Sequence, residues 1–199
     1  MKKQLSLAYV IRHGKTEWNT SGIYQGIYDS PLTQEGIKQA RKVGDYFQDK
    51  KIDKIFCSSL GRAQQTAEII SKKIGIEITT IPEFKEMNFG SFQKKSKEKV
   101  QAIFKDFFTS HKENPYYKLF IPYPDGESYF NVYQRVLPVV LKLLVRNNNF
   151  IIVGHESVNR MIRGIIMKKA LKDMVMTRQK NNEIAVLDIA NNTEEIIVV

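Results

Sequence analysis

The chain has 199 residues, 42% of them hydrophobic and 26% charged, with a formal net charge of +10. That balance supports one domain, residues 1–199, with a sizeable core, and it excludes wholesale disorder. The positive excess favours anionic partners. Its lysines are spread along the chain, densest at Lys94-Lys95-Ser96-Lys97 and Lys168-Lys169-Ala170-Leu171-Lys172. Such spreading reads as a solvated face, so no nucleic-acid partner is expected. A lone cysteine, Cys57, excludes an internal disulfide and fits a reducing compartment. No apolar stretch is long enough to span a bilayer, and no cleavage-site pattern follows the apolar run after Met1-Lys2-Lys3. A cytoplasmic protein with no membrane partner is expected. Nothing in the residues fixes the oligomeric state, and a homodimer is carried forward as the expectation.

The apolar run Leu5 to Ile11 reads as a buried strand that delivers Arg12-His13-Gly14 to a loop. A long polar loop through Gly22, Gly26 and Pro31 follows. Thr33 caps a helix with Ile37, Ala40, Val43 and Phe47 on its apolar face. Lys54 to Cys57 reads as a strand, Leu60 to Ile74 as a helix stopped by Gly75, and Ile76 to Thr79 as a short strand. Glu83 to Phe92 reads as irregular. Lys94 to Ser110 reads as one helix with Val100, Ile103, Phe104 and Phe107 on one side. Asn114 to Gly126 reads as an aromatic, proline-rich loop whose Tyr116, Tyr117, Phe120 and Tyr123 could shape a lid. Ser128 starts a helix running to Val145, with Pro138 predicting a kink. Phe150 to Val153 reads as a buried strand and Val158 to Met167 as a helix. Ile184 to Ile189 and Glu194 to Val199 read as a closing strand pair. Strands alternating with helices predict an α/β fold, a mainly parallel central sheet with helices on both faces.

Four junctions carry complementary polar residues. The first bears Arg12, His13, Thr16 and Asn19; the second Ser58, Ser59 and Arg62; the third Glu86; the fourth Gly154-His155-Glu156-Ser157. Strand carboxyl ends converge on one edge of such a sheet, which brings these groups together. A histidine beside a fixed cation resists protonation and keeps its lone pair. Two arginines and a second histidine can hold phosphoryl oxygens. A histidine nucleophile splits a displacement into two steps, and a carboxylic acid can protonate the leaving alkoxide.

These residues resemble the histidine phosphatase superfamily, also called phosphoglycerate mutase-like. The similarity runs through Arg12-His13-Gly14-Lys15-Thr16-Glu17-Trp18-Asn19, Gln25-Gly26, Asp29, Pro31-Leu32-Thr33 and Gly36. It continues through Ser58-Ser59-Leu60-Gly61-Arg62-Ala63-Gln64-Gln65-Thr66-Ala67, Glu86 with Phe89-Gly90, Gly126-Glu127-Ser128, and Gly154-His155. The resemblance implies that His13 is the phosphorylated nucleophile and Glu86 the acid and base. It implies a phosphate pocket of Arg12, Arg62 and His155, with Thr16 and Asn19 as neutral donors and Gln25 and Gly26 at the entrance. It also implies catalysis without a metal or other cofactor.

The chain departs from the family at three places. Glu156 follows the second histidine where small residues are usual, and its role is left open between backbone and side chain. Phe92-Gln93-Lys94 replaces the usual acidic segment. Glu86-Met87-Asn88-Phe89-Gly90 replaces the Glu-Arg-His-Tyr-Gly of cofactor-dependent mutases, and no arginine pair follows. The last departure favours hydrolysis over intramolecular transfer. The expected function is therefore a phosphomonoesterase acting on a small phosphorylated metabolite, with residues 94–126 as a specificity cap. A phosphoglycerate mutase and a non-catalytic phospholigand-binding module are the alternatives.

Rival motifs fail on spacing. Gly14-Lys15-Thr16 lacks a phosphate loop's first glycine, because Tyr9 stands there. Cys57 and Arg62 are separated by four residues, where a cysteine phosphatase loop needs five, so Cys57 reads as an inert buried thiol. The three histidines, His13, His111 and His155, form no metal-binding pattern.

Overall fold

The computed structural model describes residues 6–145 and 148–199, except for the side chains of residues 110–113, 115 and 118. The expected start of the first strand at Leu5 and the side chain of His111 lie outside the described residues.

Six strands form one sheet: β1 Leu7–Arg12, β2 Lys54–Ser58, β3 Ile78–Ile81, β4 Phe150–Gly154, β5 Glu183–Asp188 and β6 Thr193–Val198. Their spatial order is β3-β2-β4-β1-β5-β6. The pairs β2–β3, β2–β4 and β1–β4 are parallel, while β1–β5 and β5–β6 are antiparallel. The sheet is thus mainly parallel, with the expected closing strand pair at one edge.

Alternation along the strands separates two cores. Ala8 and Val10 of β1, Phe56 of β2, and Phe150 and Ile152 of β4 face one side. Tyr9 and Ile11, Ile55 and Cys57, and Ile151 and Val153 face the other. Helices α2 (Gln34–Phe47) and α3 (Gly61–Ile74) supply Val43, Phe47, Ala63, Ala67 and Ile70 to the second core. Helices α7 (Tyr129–Leu144) and α8 (Glu156–Ile166) supply Val132, Val136, Val140, Val158, Met161 and Ile162 to the first. The direction of travel explains the split. The chain steps one way across the sheet from β1 through β2 to β3, then returns to β4, and right-handed crossovers in opposite directions lie on opposite faces.

Local chemistry sets the ends. The Thr33 hydroxyl accepts the Gly36 N–H at the start of α2, and Ser128 caps α7 with a reciprocal Asn131 bond. Gly75 ends α3 at φ 71°. A four-residue helix, α1 (Glu17–Thr20), forms within the first loop, capped by Thr16. Another short helix, α9 (Leu171–Met174), follows α8.

Three expectations need correction. Strand β3 begins two residues later than the apolar pattern suggests, because Ile76 is still tied to α3 by a 2.6 Å bond from Ser71. The expected helix 94–110 is broken at Phe104, giving α4 (Lys97–Ile103) and α5 (Lys105–Glu113). The break turns Ile103 outward, 58% exposed, while Val100 is fully buried. The expected loop 114–126 contains helix α6 (Pro115–Phe120), whose Asn114 side chain accepts the Tyr116 and Tyr117 N–H groups. Asn-Pro is a cap followed by a first-turn proline, a start signal that the surrounding aromatic residues obscured.

Candidate active site

The carboxyl ends of β1, β2 and β4 meet where the chain reverses direction across the sheet, the usual place for a ligand crevice. The β1–β4 ladder extends one residue past β1, as the His13 N–H donates to the Gly154 carbonyl at 3.0 Å. Asn181 donates to the His13 carbonyl at 2.7 Å, and Gly14 donates to Thr66 Oγ1 at 3.0 Å. Gly14 also lies against Gly36: a Cβ there would sit 2.5 Å from the Gly36 carbonyl oxygen. The backbone of the histidine is therefore held on both sides.

Its ring is oriented as well. His13 Nδ1 lies 2.8 Å from the Gly14 carbonyl, which can only accept, so this nitrogen carries the proton. Nε2 then presents its lone pair, and Arg62 Nε–H points at it from 3.2 Å. Burial, then Arg62, then Arg12 hold the imidazole well below its ordinary pKa, against a smaller upward effect of the Gly14 bond.

Arg62 opens α3 and is buried almost completely. It donates to Asp29 Oδ1 at 2.7 Å, to the Tyr28 carbonyl at 2.6 Å and to the Gly26 carbonyl at 2.8 Å. Asp29 also accepts the Gly61 and Arg62 backbone N–H groups. It thus caps α3 from another loop, where the N-cap residue Leu60 has no capping side chain.

His155 is fully buried 5.2 Å, centroid to centroid, from His13. Its Nε2 lies 2.8 Å from Ser58 Oγ. That hydroxyl already accepts the Leu60 N–H, so its own proton can go to the histidine. His155 Nδ1 then carries a hydrogen, and it has no hydrogen-bond partner. Burial and the neighbouring Arg62 keep this ring neutral, its pKa well below the usual value. Arg12 Nε is likewise buried without a partner. Two buried polar atoms on the neighbours of His13 thus lack a protein partner.

Glu86 is fixed by three backbone donors: Met87 N–H at 2.8 Å, and Ser157 and Val158 N–H at 3.3 Å each. The last two belong to the start of α8, which favours an anion. Burial beside Phe84 and Met87 nonetheless outweighs these bonds and Arg62, and the carboxyl is raised above its ordinary range.

A cavity of about 110 Å³ opens over these groups. Of the residues named from the sequence, Arg12, His13, Asn19, Gln25, Gly26, Arg62, Glu86 and Glu156 line it. His155, expected in the phosphate pocket, is fully buried and is not among the residues that line the cavity. Thr16 departs from expectation: it is fully buried, and its hydroxyl accepts the Asn19 N–H and Gln25 Nε2–H. It positions those two residues and does not itself line the cavity. Glu156 enters through its side chain: Oε2 lies 3.1 Å from Arg12 Nη1, and Oε1 lies 2.7 Å from Arg160 Nη2. Burial alone would raise its pKa, but Arg12 and Arg160 outweigh it and lower it.

Several lining or supporting residues escaped the sequence reading. Trp18, Tyr24, Phe89 and Lys97 line the cavity without having been given a role there, beside Ser157, which the fourth junction had named. Gln179 ties the site together by accepting from Arg12 through its carbonyl at 3.2 Å and donating to the Val10 carbonyl at 2.7 Å. Arg160 had a usable signal, lying four residues after Glu156 on a helix. Gln179 and Asn181 stand in a stretch without periodicity and had none. Among the described residues, no three His, Cys, Asp or Glu side chains gather to hold a metal ion, and no helix is long and apolar enough to cross a membrane.

The fold is shared with known proteins. The structure superposes on the α-ribazole phosphatase of Shigella flexneri with a TM-score of 0.82 and 25% identity, covering 97% of this chain and 95% of that one. YhfR of Bacillus stearothermophilus gives 0.83 and 26%, covering 97% and 96%. A probable phosphoglycerate mutase, GpmB of Yersinia pestis (strain Pestoides F), is 45% identical over 82 residues, which are 41% of this chain and 38% of that protein. The match thus spans under two-fifths of such relatives' length. The sequence pattern of the histidine phosphatase superfamily (branch 1) matches residues 8–199, and the chain belongs to that superfamily.

Proposed function

We propose that the protein hydrolyses a small phosphomonoester through a phosphohistidine on His13. The observation that carries this reading is the fixed tautomer of His13: Nδ1–H is committed to the Gly14 carbonyl, which leaves the lone pair on Nε2, 3.2 Å from Arg62 Nε, on a residue that lines the cavity. Attack by Nε2 forms the N–P bond as the P–O bond to the alcohol breaks. The Gly14 carbonyl then steadies the charge that the ring acquires. Arg12 and Arg62 take the phosphoryl oxygens from the cavity wall, and the partnerless Nδ1–H of His155 takes one once the group sits on His13, whose ring centroid is 5.2 Å away. Removing one such donor typically costs about 10²–10³-fold in rate.

Glu86, with its raised pKa, is protonated more readily than an ordinary carboxyl group and gives its proton to the departing alkoxide. The resulting carboxylate then takes a proton from water as that water attacks phosphorus. The N–P bond breaks, phosphate leaves, and His13 and Glu86 return to their starting states. Residues 94–126 serve as the specificity cap; Lys97 of α4 lines the cavity, and Phe92 packs among Phe104, Phe107, Phe108 and Tyr123 beneath it.

The curated relatives' name supports a second reading, phosphoglycerate mutase. Met87-Asn88, where cofactor-dependent mutases usually carry Arg-His, favours hydrolysis. Rapid quenching with a ³²P-labelled ester tests the proposal. Label should appear on His13 and be lost, with turnover, in His13→Ala. Turnover without a labelled histidine would overturn it. Conversion of 3- to 2-phosphoglycerate with a bisphosphate primer, faster than phosphate release, would favour the mutase.

A further inference from the structure

Among the described residues, Glu156 is the one acidic side chain besides Glu86 on the cavity wall, and the proposed chemistry does not use it. A carboxylate beside a phosphate pocket opposes phosphate binding, so its presence calls for an account. It is no stray surface group. Both oxygens are engaged, one by Arg12 at 3.1 Å and one by Arg160 at 2.7 Å, and its side chain is 30% exposed toward the cavity. Arg160 is itself anchored to the Val175 carbonyl at 2.7 Å, so the carboxylate is held in place from behind.

The pairing changes when a phosphoryl group arrives. Arg12 shares one nitrogen, Nη1, between Glu156 and the Gln179 carbonyl, while its Nε has no partner. A dianionic phosphoryl group drawn to Arg12 takes up part of the charge that now balances Glu156. The carboxylate then faces the rest of the substrate with only Arg160 fully committed to it. The cavity is partly open, so such a charge is partly screened yet still acts on its nearest neighbours. Among the described residues, Lys97 is the one further cation that lines the cavity besides Arg12 and Arg62, but it is exposed, and solvent screens it.

We infer that Glu156 is a specificity-determining residue: it selects phosphomonoesters whose alcohol portion presents an ammonium or hydroxyl donor next to the phosphate and rejects those that present a carboxylate. The inference rests on the phosphomonoesterase reading for the location of the phosphoryl group, but its test needs no turnover.

The probes are three propylphosphonates of equal length, ending in ammonium, hydroxyl or carboxylate, whose C–P bond the proposed chemistry cannot cleave. Calorimetry would measure their binding to the wild-type protein, Glu156→Gln and Glu156→Ser. The wild type should bind the ammonium probe about tenfold or more tighter than the carboxylate probe, as expected for one nearby charge at partial screening. Both variants should shrink that ratio by about the same factor, the glutamine variant while keeping the wild-type melting temperature within a few degrees. An unchanged ratio would overturn the inference, as would a wild type that binds no probe. Tightest binding of the carboxylate probe, lost in Lys97→Gln, would overturn it by assigning selection to Lys97. Failure of the hydrolase reading shows up separately, as a His13 that never acquires label.

Discussion

Arg62 Nε lies 3.2 Å from His13 Nε2, and both residues are about 2% exposed. A buried guanidinium pointing an N–H at a neutral imidazole does two things. It suppresses protonation of the ring, and it marks where a phosphoryl oxygen would sit once the group is transferred. The contact depends on Asp29, which holds Arg62 from behind while capping α3.

Asp29→Ala should therefore cost both stability and rate. Loss of the cap should lower stability by about 1 kcal/mol, read as a shift in the urea midpoint. Freeing Arg62 should lower kcat/KM by about 10²-fold, the scale for losing one well-placed transition-state donor. A stability loss without a rate loss would show that Arg62 does not need Asp29 for its position.

Glu86→Gln should separate leaving groups. Esters of ordinary alcohols, which need a proton, should slow by about 10²–10⁴-fold, while p-nitrophenyl phosphate should slow far less. Because the Glu86 pKa is raised, the acid form persists to higher pH than for a typical carboxyl group. Wild-type rates on poor leaving groups should fall as pH rises through that elevated value, and the variant should lack this limb. Equal losses on both esters would remove Glu86 from the acid role.

The two buried histidines set a stability window. His155 is held well below its ordinary pKa in the folded state, so the unfolded chain binds its proton first as pH falls. Stability should decline as pH drops below about 6.5, by up to about 1.4 kcal/mol per pH unit for this group, until the folded-state value is reached. Melting curves between pH 7 and 5 should show a shallower decline for His155→Gln, which cannot charge. Parallel curves for the two proteins would contradict a buried neutral His155.

Gly36→Ala tests the close approach that frames His13. In an open helix the change would be worth about 1 kcal/mol in alanine's favour. Here the added carbon would sit 2.1 Å from the Lys15 carbonyl oxygen, so the sign should reverse. A loss of about 1–3 kcal/mol is expected, together with a fall in kcat, since a displaced loop moves the nucleophile. Denaturant titration and initial rates check both, and a stabilised, fully active variant would refute the packing argument.

The fold was legible wherever one local signal sufficed. Thr33, Ser128 and Gly75 mark helix ends by their own chemistry, and the short β-branched and aromatic stretch Phe150 to Val153 reads as a buried strand. Strand carboxyl ends then brought Arg12, His13, Arg62 and His155 together. The misses have physical causes. Phe104 breaks a helix whose apolar residues suit either half, because Phe92 gathers Phe104, Phe107 and Phe108 around itself from outside the segment. Thr16 is a polar residue next to a site, and only its hydrogen bonds tell a cap from a ligand donor. Gln179 and Asn181 act across about 170 residues of chain separation, where no sequence period operates.

The stereochemical course at phosphorus tests the central claim most directly. A phosphate ester made chiral with oxygen isotopes should be hydrolysed in isotopic water with overall retention of configuration, because transfer to His13 and then to water inverts phosphorus twice. Inversion would mean that water attacks the ester directly, and it would contradict the phosphohistidine account.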